Sequence, residues 1–125
     1  MPMDINLLTE NIIRVAFAVL IGGIIGAERE FRDKAAGFRT IILITVGSAL
    51  FTIFSTSMDP GFTRTRIAAN IVTGIGFLGA GAIMREHGRV GGLTTAATVW
   101  LSAALGMGIG AGELIFVAVS TFIVI

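Results

Sequence analysis

The sequence predicts an all-α fold: a polytopic transmembrane bundle of four to five short helices rich in glycine and alanine. Hydrophobic residues make up 54% of its 125 residues, and the mean hydropathy is +0.92. A soluble domain of this length could not bury so much apolar surface. The charged residues stand in short clusters between long uncharged segments, as expected when lipid occupies the intervals. These observations place the chain in a bilayer.

Four segments are long enough to span a membrane, because a helix rises ~1.5 Å per residue and about 20 apolar residues cross the hydrocarbon core. The predicted spans cover residues 7–27, 40–57, 67–84 and 93–108. A fifth begins near Leu114 and stops at the chain end, so we expect it to be truncated unless it is re-entrant or interfacial. Residues 1–125 then form one transmembrane domain, and we expect a C-terminal cytoplasmic domain to follow it in the natural protein.

The distribution of basic residues predicts the orientation of the spans, because basic residues in short loops stay in the cytoplasm. The loop after the first span carries four of them, and the loop after the third span carries Arg85 and Arg89. The loop between these two, on the opposite side, has only Arg64 and Arg66, and the connection 106–112 has none. We therefore expect the N-terminus outside and, after five spans, the C-terminus in the cytoplasm.

The composition argues against several classes of function. The chain has no cysteine, which excludes disulfides and cysteine-based metal or redox sites. Its net charge is only +1, so no overall field attracts nucleic acid. The single histidine, His87, lies in a charged loop with no second metal ligand nearby, and no pair of side chains is spaced as a nucleophile and its base. We expect neither enzyme activity nor a cofactor or metal site.

Small residues recur at helical spacing within the spans. Gly22 and Gly26 form one small-xxx-small pair, and Gly76 forms another with Ala80. Such residues let helix backbones approach closely in a bilayer, so we expect packing within one subunit or, as the second interpretation, a homodimer interface. A G-x-G-x-x-G string starts at Gly74, but it lies inside an apolar span without a preceding strand, so we reject a dinucleotide site. The glycines assigned to helix packing are Gly22, Gly26, Gly74, Gly76, Gly79 and Gly81.

Polar groups within apolar spans are candidate functional residues because each is costly to place in lipid. Arg14 lies ~10 Å into the first span by helical rise. It either snorkels to the headgroups or pairs internally with Glu10, Asp59 or Glu113. For Asn70 and the pair Thr94 and Thr95 we favour interhelical or capping hydrogen bonds. The candidates from this argument are Arg14, Asn70, Thr94, Thr95 and Glu113.

Charges of both signs alternate in residues 28–34, ERE-F-RDK, which we place in the loop after the first span. The mixed signs argue against a simple phosphate or anionic-lipid patch. They also argue against a cage for Mg²⁺, because Mg²⁺ prefers water and carboxylates whose charge is not already matched by neighbouring arginines. We expect a salt-bridged loop, with a docking surface for a partner as the second interpretation.

Two sets of motifs resemble the signatures of the MgtC/SapB family, and they cover nearly the whole chain in the family's order and spacing. The first set is 22–30 (GGIIGAERE) with 34–40 (KAAGFRT). The second set is 66–69 (RIAA), 74–81 (GIGFLGAG) and 92–97 (GLTTAA) with Trp100. Relatives often carry asparagine where this chain has Thr94, so a role that needs an amide there does not transfer.

The resemblance implies a bacterial inner-membrane protein with a periplasmic N-terminus, about five spans and, in many relatives, a cytoplasmic C-terminal domain. The family is linked to adaptation to low magnesium and, in pathogens, to survival inside host cells. Some members are regarded as small membrane regulators, including of the ATP synthase. By motif position the resemblance carries over Glu28, Arg39, Arg66 and the run 74–81 as functional positions.

Two hypotheses of function follow. The leading one is a non-enzymatic regulator that binds itself, as a homodimer or other homo-oligomer, and other membrane proteins. The alternative is an ion transporter or channel, for example for Mg²⁺, that works as an oligomer. Its passage would be lined by Arg14, Asn70, Glu28 or Glu113.

Overall fold

The computed structural model describes residues 4–58, 61 and 64–125, and this part of the chain forms five helices and one small hairpin. The predicted all-α membrane bundle is confirmed. The helices are α1 (Ile5–Phe31), α2 (Phe38–Met58), α3 (Arg64–Ala82), α4 (Leu93–Gly110) and α5 (Leu114–Val124). Between α3 and α4, strands β1 (Met84–Glu86) and β2 (Arg89–Gly91) pair antiparallel.

Three of the helices, α1, α2 and α4, are long and apolar enough to cross a membrane. Helix α3 has 19 residues, but its first turn contains two arginines and its apolar content is lower. Helix α5 is apolar and has 11 residues. Of the four to five predicted spans, therefore, three meet the length and composition of a span in the part of the chain that the structure describes.

The helix boundaries differ from the predicted ones where polar residues continue a helix beyond its apolar segment. The loop predicted from residue 28 is helical as far as Phe31, because Glu28 and Arg32 form an ion pair one turn apart with a distance of 2.8 Å. The chain then turns through Asp33 and Ala36, which both have positive φ angles. Helix α4 also extends two residues past its predicted end, here through the apolar Ile109 and through Gly110.

The predicted third loop is a β-hairpin, and the third span ends at Ala82 instead of residue 84. His87 and Gly88 occupy the turn with φ angles of 50° and 77°, as a two-residue type I′ turn requires. Gly92 follows with φ 85°, and a Cβ there would collide with the Ala82 carbonyl. Glycine at this position lets α4 begin directly beside the end of α3.

Helix α2 lies between α1 and α4, and glycines make both contacts close. A Cβ on Gly26 would lie 2.7 Å from the Cα of Phe38, and one on Gly110 would lie 2.6 Å from the Ala49 carbonyl oxygen. Helix backbones approach this closely only through residues without side chains. The most deeply buried apolar residues lie along these contacts: Ala18, Ile41, Ala49 and Ile109.

Helix α3 packs differently, because a narrow stripe of Ile71, Ile75 and Gly79 is its buried surface. A Cβ on Gly79 would be 3.7 Å from the Ala96 side chain, so this stripe faces α4.

The connection 32–37 and the hairpin 84–91 lie at the same end of the bundle, because Arg29 near the end of α1 forms a hydrogen bond with Thr95 near the start of α4. We call this the basic end.

Candidate functional site

Arg29 is the most unusual side chain of the basic end. Its residue is only 4% exposed. Its Nη2 donates a hydrogen bond to the Ala35 carbonyl at 2.9 Å and another to the Thr95 hydroxyl. Its Nε is buried without a hydrogen-bond partner, and none of the described carboxylates lies within ion-pair distance. Arg29 therefore keeps a buried positive charge that no described acid compensates, an arrangement that is costly in a protein interior.

Helix geometry places Arg29 in the interior although the sequence around it is charged. Gly22, Ile25, Gly26 and Arg29 recur at three- and four-residue spacing and share the buried face of α1. The glycines draw α2 against this face, and the turn through Ala36 brings the 35–36 backbone over the guanidinium. The sequence argument missed Arg29 because it placed residue 29 in a solvated loop. The signal was present in the spacing from Gly22.

A cleft of about 920 Å³ lies next to this arginine, between α2, α3 and α4. We call it the α2–α3 cleft. Among the described residues that line it, Thr40, Ser48 and Thr95 are polar, and the others are apolar or glycine. Ala35 and Thr95, which accept the two hydrogen bonds of Arg29, both line the cleft. The guanidinium thus lies directly behind the wall of the cleft at the basic end.

Helix N-termini add positive potential at the same end of the cleft. Thr40 is the third residue of α2 and Thr95 is the third residue of α4, so both belong to first turns whose amides lack intrahelical acceptors. Gly92, the N-cap of α4, makes no side-chain capping bond. Predicted as a capping or interhelical residue, Thr95 accepts a hydrogen bond from the Arg29 side chain between helices. Thr94 beside it is exposed.

Arg14 lies at the opposite end and binds the end of α4. Its Nη1 donates to the Gly110 carbonyl at 3.1 Å, and its Nη2 lies 3.8 Å from the Glu10 carboxylate. Of the predicted partners, Glu10 is therefore within reach. Glu113 forms no ion pair with any described residue, and Asp59 lies outside the described residues. The contact with Gly110 points Arg14 toward the bundle, which is not the geometry of an arginine that snorkels freely to the headgroups. A cation at this helix C-terminus is favourable.

The remaining predicted polar residues do not converge on one site. Glu28 is half-buried and paired with Arg32. Glu113 lies at the start of α5, near the end that carries Arg14, whereas Glu28 lies at the basic end. Five of the predicted residues have exposed side chains that form no hydrogen bond or ion pair within residues 4–58, 61 and 64–125: Arg39, Arg66, Asn70, Thr94 and Glu113.

The predicted packing glycines divide into two groups. Close contacts within the chain surround Gly22, Gly26 and, more loosely, Gly79. A Cβ at Gly74, Gly76 or Gly81 would meet no described atom within 4 Å. Packing within one subunit, the preferred interpretation, therefore applies to the first group and does not apply to the second. A homodimer interface at the second group stays a prediction.

A further glycine pair was not predicted. Gly106 and Gly110 of α4 face α2, and a Cβ on Gly106 would collide with the Thr45 carbonyl. Both glycines lie in the segment 106–112, which was predicted to be a connection. Their four-residue spacing was the available signal.

Comparison with known proteins agrees with the fold and the motifs. The model of the MgtC family matches residues 15–125. Protein MgtC of Brucella abortus (strain 2308) is 51% identical over 111 residues, which are 89% of this chain and 47% of that protein. Protein MgtC of Salmonella typhimurium (strain LT2) is 46% identical over 114 residues, which are 91% of this chain and 49% of that protein. No solved structure matches the chain.

The chain spans about half the length of the curated relatives it matches. The family match covers all five helices apart from the first turns of α1, and three of these helices are apolar enough to cross a bilayer. The family signatures contain Arg29, the glycines of α1 and the first turn of α4. The chain therefore belongs to the MgtC family and is a membrane protein.

Proposed function

We propose that this protein is a non-enzymatic regulator of bacterial adaptation to low magnesium. It lies in the inner membrane with its N-terminus outside and acts by binding itself and another membrane complex, of which the ATP synthase is the first candidate. The link to magnesium comes from the family resemblance and fits the name MgtC that its relatives carry. The surface of α3 supports the proposed mode of action.

The proposal depends on a face of small residues on α3 that no other described helix covers. Gly76 is exposed, as are Thr73 and Ala80 beside it on α3, and no described atom lies within 4 Å of a Cβ placed on Gly76. In a bilayer, small residues favour association because they let a second helix approach closely, whereas lipid gains nothing from them. This face of α3 is suited to a helix from another chain.

The position of the charges supports the proposed orientation. The Arg29–Thr95 hydrogen bond joins the end of α1 to the start of α4, so the first and third connections share one side of the membrane. These connections carry most of the basic residues, which favours a cytoplasmic location for the basic end. Exposed Arg39 at this end is available for contact with a partner.

Ion transport has less support from the geometry. Arg14 and Glu28, two of the residues predicted to line a passage, lie 14 positions apart on α1. Arg14 contacts the end of α4, whereas Glu28 lies at the basic end. The α2–α3 cleft is lined mainly by apolar residues and includes neither of them. A transporter would have to form its polar pathway between subunits.

The test uses the full-length protein expressed at its native level in its own bacterium under low magnesium. Crosslinking and co-purification should recover a second copy of the protein together with another membrane complex. Probing the recovered material for ATP synthase subunits tests the first candidate. We expect the Gly76→Leu protein to recover neither partner. A deletion strain that carries this variant should fail to grow at low magnesium. Ala118→Leu, on an exposed position of α5, is the matched control and should retain both properties.

Two outcomes would overturn the proposal. One is a Gly76→Leu protein that restores growth and recovers the same partners as the natural protein. The other is ion flux in proteoliposomes of the purified protein that is abolished by Glu28→Ala or Arg66→Ala, because such flux would make the protein a transporter.

A further inference from the structure

We propose that the α2–α3 cleft binds an anionic phospholipid of the leaflet at the basic end. The acyl chain lies in the cleft, and the phosphate lies at its basic end, within the field of Arg29 and of the first turns of α2 and α4. This inference requires no partner protein. Ala80 borders both the cleft and the partner-binding face of α3, but Gly76 at the centre of that face does not line the cleft.

The length of the cleft matches one leaflet. On α2 its lining extends from Thr40 to Phe51, and on α3 from Ile71 to Ala82. Eleven residue steps in each helix correspond to ~16 Å at the rise of an α-helix. Half of a hydrocarbon core of ~30 Å is ~15 Å, so the cleft ends near the middle of the bilayer. A spanning helix of another protein would need a groove about twice as long, whereas an acyl chain of one leaflet fits this length.

The electrostatics of the cleft are asymmetric. Away from the basic end the wall consists mainly of apolar side chains such as Leu43, Phe51 and Ile75, with Ser48 as the one polar side chain among the described lining residues there. At the basic end Thr40 and Thr95 belong to the first turns of two helices, whose free amides favour an anion. An apolar tail with an anionic head matches this pattern.

Arg29 supplies independent evidence for an anion at the same place. It is 4% exposed, its Nε has no hydrogen-bond partner, and no described acid forms an ion pair with it. Its two acceptors, the Ala35 carbonyl and the Thr95 hydroxyl, belong to residues that line the cleft. Because the surrounding protein and lipid screen charge weakly, a phosphate at the end of the cleft would compensate this arginine effectively.

The rim of the cleft adds exposed basic residues. Lys34 and Arg39 flank lining residues of the first connection and of α2, and Arg85 follows the last lining residue of α3 by three positions. The basic end and the helix turns that adjoin it, residues 28–39 and 84–91, contain six basic and four acidic side chains, and one of the acids, Glu28, is paired with Arg32. The mixed charges in the sequence argued against an anionic-lipid patch. The ion pair removes one charge of each sign, and the remaining side chains of this region still carry more positive than negative charge.

The experiment measures lipid selectivity of the purified full-length protein. Nanodiscs are prepared from phosphatidylcholine with increasing fractions of phosphatidylglycerol, and bound lipid is counted by native mass spectrometry after gentle release. We expect the ratio of retained phosphatidylglycerol to retained phosphatidylcholine to rise by about fivefold or more for each basic group that contacts the phosphate. Arg39→Gln should reduce the preference by about fivefold, and Arg29→Gln should reduce it as much or more.

A second variant keeps the test valid if the arginine variants fail to fold. Gly47 lines the cleft, and a Cβ there would meet no described atom within 4 Å. Gly47→Leu should therefore fold, fill the cleft and release the retained lipid. Gly76→Leu is the matched control, because Gly76 does not line the cleft and its variant should keep the lipid. Gly76→Leu tests partner capture and Gly47→Leu tests lipid retention, so the two proposals can fail separately.

Four results would overturn the inference. The first is equal retention of phosphatidylcholine and phosphatidylglycerol, which would leave an apolar cleft without recognition of charge. The second is displacement of the anionic lipid by millimolar inorganic phosphate, which would assign the site to the free ion. The third is unchanged retention by Gly47→Leu, which would place the lipid elsewhere on the protein. A protein helix in the cleft of the purified complex, with no lipid retained, would also contradict it.

Discussion

From the close contact between α2 and α4 we predict that Gly106→Ala lowers the free energy of unfolding. A Cβ at this position would collide with the Thr45 carbonyl and lie 2.8 Å from the Ser48 side chain. Ordinary contacts between such atoms are about 3.5–4.0 Å, and the obstacle is the backbone of α2, which cannot rotate away. The two helices would have to separate by about 1 Å, and the neighbouring contact at Gly110 would loosen with them.

The magnitude follows from the cost of overpacking, which is ~1–3 kcal/mol for an added methyl group in a tight core. In a soluble helix the higher helix propensity of alanine would offset up to about 1 kcal/mol of this. In a bilayer the separated helices stay helical, because their backbone groups have no other partners there, so this compensation is small. We therefore expect Gly106→Ala to lower the free energy of unfolding by ~1–3 kcal/mol.

Equilibrium unfolding in mixed micelles, followed by steric trapping or by tryptophan fluorescence, measures this change. Gly76→Ala is the matched control, since it makes the same substitution in α3 where no described atom is within 4 Å of the new methyl group. We expect the control to unfold like the natural protein. Equal unfolding free energies for the two variants would refute the close packing of α2 and α4 and the order of the helices built on it.

Three further predictions follow from the hydrogen bonds and the backbone. Thr95→Val should cost ~1.5–3 kcal/mol, because the buried Arg29 loses an acceptor; in an Arg29→Met background the same change should cost little, and additive costs in this cycle would refute the coupling. Arg14→Ala removes a hydrogen bond to the last carbonyl of α4, so it should cost ~1 kcal/mol and accelerate amide exchange in the last turn of α4; unchanged exchange would argue against the contact. Gly92→Ala forces a side chain into φ 85° against the end of α3 and should lower the Tm through a cost of at least ~1 kcal/mol. A Tm equal to that of the natural protein would show that the turn relaxes.

The sequence determined the membrane environment, the all-α class and the approximate positions of all five helices. These features depend on composition and on the length of apolar segments, which are properties of consecutive residues. It also identified Gly22 and Gly26 as helix contacts, because their four-residue spacing places both on one face whatever the partner helix is. The family motifs, likewise, are local strings, and the match over residues 15–125 agrees with them.

The tertiary structure decided which charges are inside and which glycines have neighbours. Arg29 stands among alternating charges, and its burial follows from the approach of α2 and α4, which no local pattern encodes. Gly76 and Gly106 look alike in sequence, yet one is open and the other touches a backbone. The reason is that burial depends on the faces that different helices turn to one another, and those faces are set by long-range packing and not by the spacing of residues within any single helix.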